Sequence, residues 1–176
     1  MTVTLLMLAF GAALTPFRAA AASPAVDRRP VALVAVGATF GAIVVVAALS
    51  GPLLDLLGVT GATSRIAAGI AMLAVAIKDI VVRPPTPEPA LPGRRAGLIP
   101  LAFPVLFTPA VAMLAVAGAA DRGVLVAAVT ALPALALVAG AVVVGPRLGR
   151  RSFVAFGGCA ATVLAALVTL DGVYAI

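Results

Sequence analysis

Two Thr-Pro dipeptides carry the first chemical signal in the chain. Thr15-Pro16 and Thr108-Pro109 stand 93 residues apart, each inside a long apolar run. A proline within a helix removes one backbone donor and crowds the carbonyl four residues earlier, so the helix kinks or breaks. At mid-membrane depth a break frees backbone groups that are tolerated only where they line a cavity or pack against protein. Pro104, with Pro100, weakens the second run further. Thr15, Pro16, Pro104, Thr108 and Pro109 are therefore candidate substrate-binding residues; a plain kink at each proline is the alternative.

Charged residues inside the apolar runs are few. Arg65 opens the run SRIAAGI. It either anchors that helix end at an interface or reaches inward to pair with a substrate carboxylate or Asp55. Arg18 follows Thr15 by three residues and lies in lipid or, if the helix breaks at Pro16, in a vestibule. Lys78, Asp79 and Asp171 sit near the ends of their runs, close enough to the interface to reach it by snorkelling. By elimination, Asp79 and Asp171 are the candidates for coupling to protons or sodium. A cavity built from hydroxyls, opened backbone and helix ends suits a small neutral or zwitterionic solute. It suits a multivalent cation poorly, because no cluster of carboxylates offsets the charge.

Composition excludes several other chemistries. The chain has no histidine, which removes imidazole metal sites and His-dependent catalysis. Its one cysteine, Cys159, cannot form an intramolecular disulfide or a redox pair. No nucleophile–base pair or ligand cluster stands out, so neither an enzyme nor a metal or cofactor is expected. The net charge of +6 does not point to nucleic acid, because the basic residues gather in loops between apolar runs.

The elements that would position these residues follow from hydropathy. Of 176 residues, 64% are hydrophobic and 10% charged, against ~45–50% and ~25% in soluble domains. Six apolar runs, each near the ~20 residues that cross a bilayer, cover about 3–22, 31–50, 62–82, 98–119, 124–145 and 153–173. The expectation is an all-α membrane protein of six transmembrane helices, the first and fourth broken at their prolines. The segment GPLLDLLGVTG reads as a connection. The loop RPPTPEPALPGRRAG holds five of the fourteen prolines and reads as a stiff linker. One membrane domain results: repeat one over 1–82, a cytoplasmic linker over 83–97 and repeat two over 98–176. A cleaved signal peptide at the start is the weaker reading, since no basic residue precedes the first apolar run.

Basic residues set the orientation. Arg18, Arg28, Arg29, Lys78, Arg83, Arg94, Arg95, Arg147, Arg150 and Arg151 fall on one side, and only Arg65 and Arg122 on the other. The positive-inside rule then puts both termini outside. Three spans per half make any repeat an inverted one. The paired Thr-Pro dipeptides, and Asp79 and Asp171 at a spacing of 92, support that repeat. Small residues mark helix contacts. Gly37 and Gly41 form one such face, expected to pack within the chain, with a homo-oligomer contact as the alternative. Gly157, Gly158 and Ala161 form another, where Cys159 is expected to be buried.

The stretch LLDLLGVTGATSRIAAGIAMLAVAIKDIV resembles the third-span region of the MarC family of integral membrane proteins. IPLAFPVLFTP resembles that family's fourth span, and LVTLDGV its closing segment. The likeness covers nearly the whole chain. It implies a bacterial inner-membrane protein of the broad LysE-type exporter group, with inverted three-helix repeats and transport of small neutral amino acids. By position, Pro16, Pro104 and Pro109 match family prolines, and Arg65, Gly69 and Asp79 match its third-span pattern. Thr15-Pro16-Phe17-Arg18 stands where the family has Asn-Pro-x-Gly, and Thr108-Pro109-Ala110 where it has Gly-Pro-Gly. The resemblance therefore bears on fold more than on substrate. Two functions remain open: a secondary transporter, and a non-transporting accessory or assembly subunit that keeps the fold.

Overall fold

The computed structural model describes residues 1–22, 28–81, 93–144 and 151–176. Residues 82–92, most of the proline-rich linker, lie outside these, as do Arg83, Arg147 and Arg150. The described chain is all-helical, with no strand among its residues. Its α-helices are α1 (Val3–Ala13), α2 (Pro16–Ala22), α3 (Arg28–Ala48), α4 (Ser50–Leu57), α5 (Gly61–Val81), α6 (Pro109–Arg122), α7 (Val124–Val144) and α8 (Arg151–Val173). Four stretches are long and apolar enough to cross a bilayer: Val3–Ala22, Arg28–Ala48, Val124–Val144 and Phe153–Val173. The bent pair Arg95–Leu106 and Pro109–Arg122 makes a fifth if it is counted as one span. Helix α5 is 21 residues long but carries Arg65, Lys78 and Asp79, and it is not among them.

The segment GPLLDLLGVTG differs from its reading as a connection. Ser50–Leu57 within it winds into α4. Gly58 then stops the helix in a left-handed conformation (φ 61°), where its amide and that of Val59 donate to the carbonyls of Asp55 and Leu54. Glycine reaches that region without the steric penalty of a Cβ. The linker's described end, Gly93–Gly97, is a 3-10 turn packed on the start of α3. A Cβ at Gly97 would lie 2.6 Å from the Val31 carbonyl oxygen, so only glycine allows that approach.

Alanine makes up much of the buried core, beside large side chains such as Leu6, Phe10 and Met72. Ala9, Ala19, Ala35, Ala47, Ala110 and Ala127 are fully buried. Leu33, Leu125 and Leu137 are 72%, 78% and 64% exposed. Lipid is as apolar as leucine, so burial alone does not hold helices together there; close packing of small residues does. Two buried hydroxyls bond within their own helices: Thr39 to Ala35 and Thr130 to Val126, both at 2.8 Å.

Helices α5 and α8 form the most extensive pair, and they run antiparallel. Gly172 faces Ala62 and Ile66, Gly69 faces Ala165 and Thr169, and Gly158 faces Ala76 and Ile80. Gly158 thus packs as its small-residue face predicts, but Cys159 beside it is exposed. One position along a helix rotates a side chain by about 100°, enough to turn Cys159 away from α5. Gly37 and Gly41 also depart from expectation. Both are exposed and nothing lies within 4 Å of a Cβ at either, because α3 meets α7 through its opposite face.

These glycines can be told apart by substitution. A Cβ at Gly69 would strike Thr169 Oγ1 and lie 2.8 Å from the Ala165 carbonyl oxygen. Gly69→Val is expected to destabilise the fold by about 1–3 kcal/mol, seen as a lower melting temperature in detergent. Gly37→Ala, which meets no neighbour, is expected to keep or slightly raise the melting temperature. Equal effects of the two substitutions would contradict the α5–α8 packing.

Candidate functional site

The first break is built by Pro16. Proline has no N–H for the carbonyl of Ala12, four residues back. The Thr15 amide donates to it instead, at 3.2 Å. Thr15 is driven to φ 42°, and among the described residues it is the one non-glycine with positive φ. The left-handed region costs a β-branched residue of the order of 1–2 kcal/mol. The helix then restarts as α2, with the Thr15 carbonyl accepting from Arg18 and Ala19 at 3.0 and 3.1 Å. Thr15 is buried, and its hydroxyl has no hydrogen-bond partner.

The second break is longer. Ile99 and Phe103, which precede Pro100 and Pro104, are extended (φ −129° and −126°). The pyrrolidine ring disfavours α geometry in the residue before it, and this accounts for both. The Phe103–Pro104 peptide bond is cis. The chain regains helix at Thr108, whose hydroxyl accepts from the Val111 amide at 3.4 Å, with Pro109 in the first turn. The two threonines thus have different roles. Thr108 caps a helix, whereas the Thr15 hydroxyl is left unpaired.

A cavity of about 330 Å3 opens beside the first break. Its walls come from α1 (Met7, Leu8, Gly11, Ala12), α7 (Pro133, Ala134, Leu137) and α8 (Val154, Gly157, Ala160, Leu164). Thr15, Pro16, Phe17, Arg18 and Asp79 complete it at the break. Phe17 stacks on Phe153 with ring centroids 5.9 Å apart, and Gly157 leaves room for its ring. Arg18 Nη1 donates to Asp79 Oδ1 at 3.1 Å, the two side chains being 16% and 6% exposed. Asp79 therefore does not snorkel to an interface as its position in sequence suggests. Arg18 lies at the cavity wall.

A second charged group closes the opposite end of α5. Arg65 Nη1 donates to Asp171 Oδ2 at 2.8 Å, and Nη2 to Asp121 Oδ1 at 2.9 Å. The Met1 amino group lies 3.2 and 3.3 Å from the same two carboxylates. Asp55, the chain's own carboxylate considered as a partner for Arg65, makes no bond to it; Asp121 and Asp171 do. Asp171 likewise meets a partner rather than only water. Outside the group lies a depression of about 750 Å3, lined by Asp55, Thr60, Thr63, Arg65 and Asp121 among others.

Of the residues singled out by sequence, the structure brings Thr15, Pro16 and Asp79 to one cavity. Thr108 is buried as a helix cap, and Pro104 and Pro109 are exposed; none of the three lines the cavity. Arg65 and Asp171 meet at the far end. Sequence reasoning missed Asp121 and Pro133. Asp121 carried a faint signal, as an acid beside Arg122 on the side otherwise poor in charge. Among the described residues no cluster of His, Cys, Asp or Glu could hold a metal ion. The chain matches no protein-family model, no curated protein and no solved structure.

The far-end group makes a stability prediction. Arg65→Gln leaves the Asp121 and Asp171 carboxylates without their guanidinium, and breaking a largely buried pair costs about 3 kcal/mol. A melting temperature in detergent lowered by several degrees is expected. Asp55→Asn, which removes no bond to Arg65, is expected to melt like the parent.

Proposed function

We propose that the protein is a six-span bacterial inner-membrane transporter with both termini outside. It moves a small neutral or zwitterionic metabolite, such as a small neutral amino acid, by alternating access, most simply as an exporter. The observation that carries this reading is the cavity at the first break, walled by helices from both halves of the chain, with an ion pair in its wall. In inverted-repeat transporters, substrate sites lie at the interface between repeats and beside interrupted helices.

The order of helix contacts supports the inverted repeat. The third helices of the halves, α5 and α8, pack together, and so do the second helices, α3 and α7. The first helix, α1 with α2, packs on α7, and the matching segment of the second half packs on α3. Exchanging the halves maps this pattern onto itself. Helix α5 is taken as the remaining span because Arg65 and Asp79 are neutralised inside the bundle. Lys78, exposed near its end, has the reach to snorkel. The MarC resemblance of the third, fourth and last spans points the same way. Coupling is assigned to Asp79: when it takes a proton, Arg18 is released to bind a substrate carboxylate.

A second reading, an accessory subunit, is favoured by one observation. The Gly37–Gly41 face is exposed and unpacked, as a contact for a partner helix would be.

Uptake into proteoliposomes separates the two. Labelled glycine and alanine are expected to accumulate under a pH gradient, and Asp79→Asn is expected to lose the gradient response at least tenfold while remaining folded. Folded parent protein that moves no small neutral or zwitterionic metabolite would overturn the transport reading in favour of the accessory one.

A further inference from the structure

The cavity borders mid-helix side chains as well as the Arg18–Asp79 end of the bundle. Gly11 and Ala12 lie midway along Val3–Ala22, Pro133 and Leu137 near the middle of α7, and Ala160 and Leu164 near the middle of α8. Leu8 and Leu137 are 54% and 64% exposed, and Pro133 and Ala160 are exposed too. If these helices span the bilayer, this side of the cavity faces hydrocarbon. A ligand with an apolar body can reach it there through the lipid.

The polar end of the cavity selects the other half of the ligand. Arg18 gives Nη1 to Asp79, while its Nε is buried with no partner. A guanidinium offers its donors in a planar fork, and a donor left unused in an apolar wall can be taken by a carboxylate oxygen. The unpaired Thr15 hydroxyl sits beside the same break and adds a donor. The volume of about 330 Å3 equals roughly eleven water volumes at ~30 Å3 each. Glycine, with no side chain, would leave most of it empty, whereas a chain of around ten carbons fills it.

We infer that this cavity is a lipid-accessible binding site for a monocarboxylate with an apolar body, of medium-chain fatty-acid type. Its carboxylate lies against Arg18 and its chain runs between α1, α7 and α8. The inference goes beyond the transport reading and does not require it, because the site can bind such a ligand whether or not the ligand is moved. Binding and uptake are therefore read separately.

The test uses full-length protein in nanodiscs with radiolabelled decanoate. Saturable binding is expected, competed by unlabelled decanoate and at least tenfold less well by decanol, which lacks the charge, or by leucine. Leu137→Trp and Ala160→Phe fill the mouth from the lipid side without touching the ion pair, and each is expected to weaken binding at least tenfold. Arg18→Gln is expected to weaken decanoate at least tenfold and to abolish its advantage over decanol. A diazirine-bearing decanoate is expected to label peptides containing Leu8, Leu137 or Ala160. The inference is overturned by the absence of saturable binding, by equal binding in the mouth-filling variants, or by labelling elsewhere. A loss of uptake with decanoate binding intact would overturn only the transport reading.

Discussion

Charge inside an apolar bundle must be neutralised where it stands, and α5 is where this constraint shapes the molecule. The helix carries Arg65 near one end and Asp79 near the other, 14 residues apart, or about 21 Å at 1.5 Å per residue. Neither charge is free. Asp79 holds Arg18 beside the first break, and Arg65 holds Asp121 and Asp171 at the ends of α6 and α8. An unpaired ion in such surroundings costs several kcal/mol. The positions of three other segments are thereby tied to one helix.

From Ile66 to Ile77 α5 has no charge, and contact must come from shape. The three glycine contacts with α8 let the two backbones approach along their full length. Ion pairs fix the helix along its axis and the glycines fix its distance, so α5 has little freedom left. The first helix is treated differently. Its break leaves the Thr15 hydroxyl and Arg18 Nε unpaired, and beside its packed face another side borders a cavity. Close backbone packing is concentrated in α5–α8; of the three buried unpaired polar atoms among the described residues, two lie where α1 meets α2 and the third is Arg65 Nε on α5.

Much of the fold was legible because bilayer-length apolar runs and prolines act locally. The helix limits at Val3–Ala22 and Val124–Val144 lie within a residue or so of the runs read from hydropathy. The breaks fall where Pro16 and Pro109 place them. What sequence did not reveal depends on which helices become neighbours. Arg18 and Asp79 are 61 residues apart, and Arg65 and Asp171 are 106 apart. No periodicity links such positions. The same holds for Gly37 and Gly41, whose spacing marks a contact face but not whether the chain supplies its partner. Helix α4 was missed because glycine and proline at its start resemble a turn; Gly58, just past its last residue, is the stop signal that marks a helix there.

The two ion-pair groups are also unlike in what they connect. Arg18–Asp79 lies within the first half of the chain, whereas Arg65 joins the first half to Asp121 and Asp171 of the second. Under the alternating-access reading, motion of one half against the other leaves the first pair intact and must break the second. The Arg65 end is then a closed gate, and the cavity is the part of the interface left open in this arrangement. Asp79 can exchange partners without moving a helix, because a carboxylate-bearing ligand competes for the same guanidinium. Chemistry at one end of α5 and gating at the other can therefore be separate functions of one rigid helix.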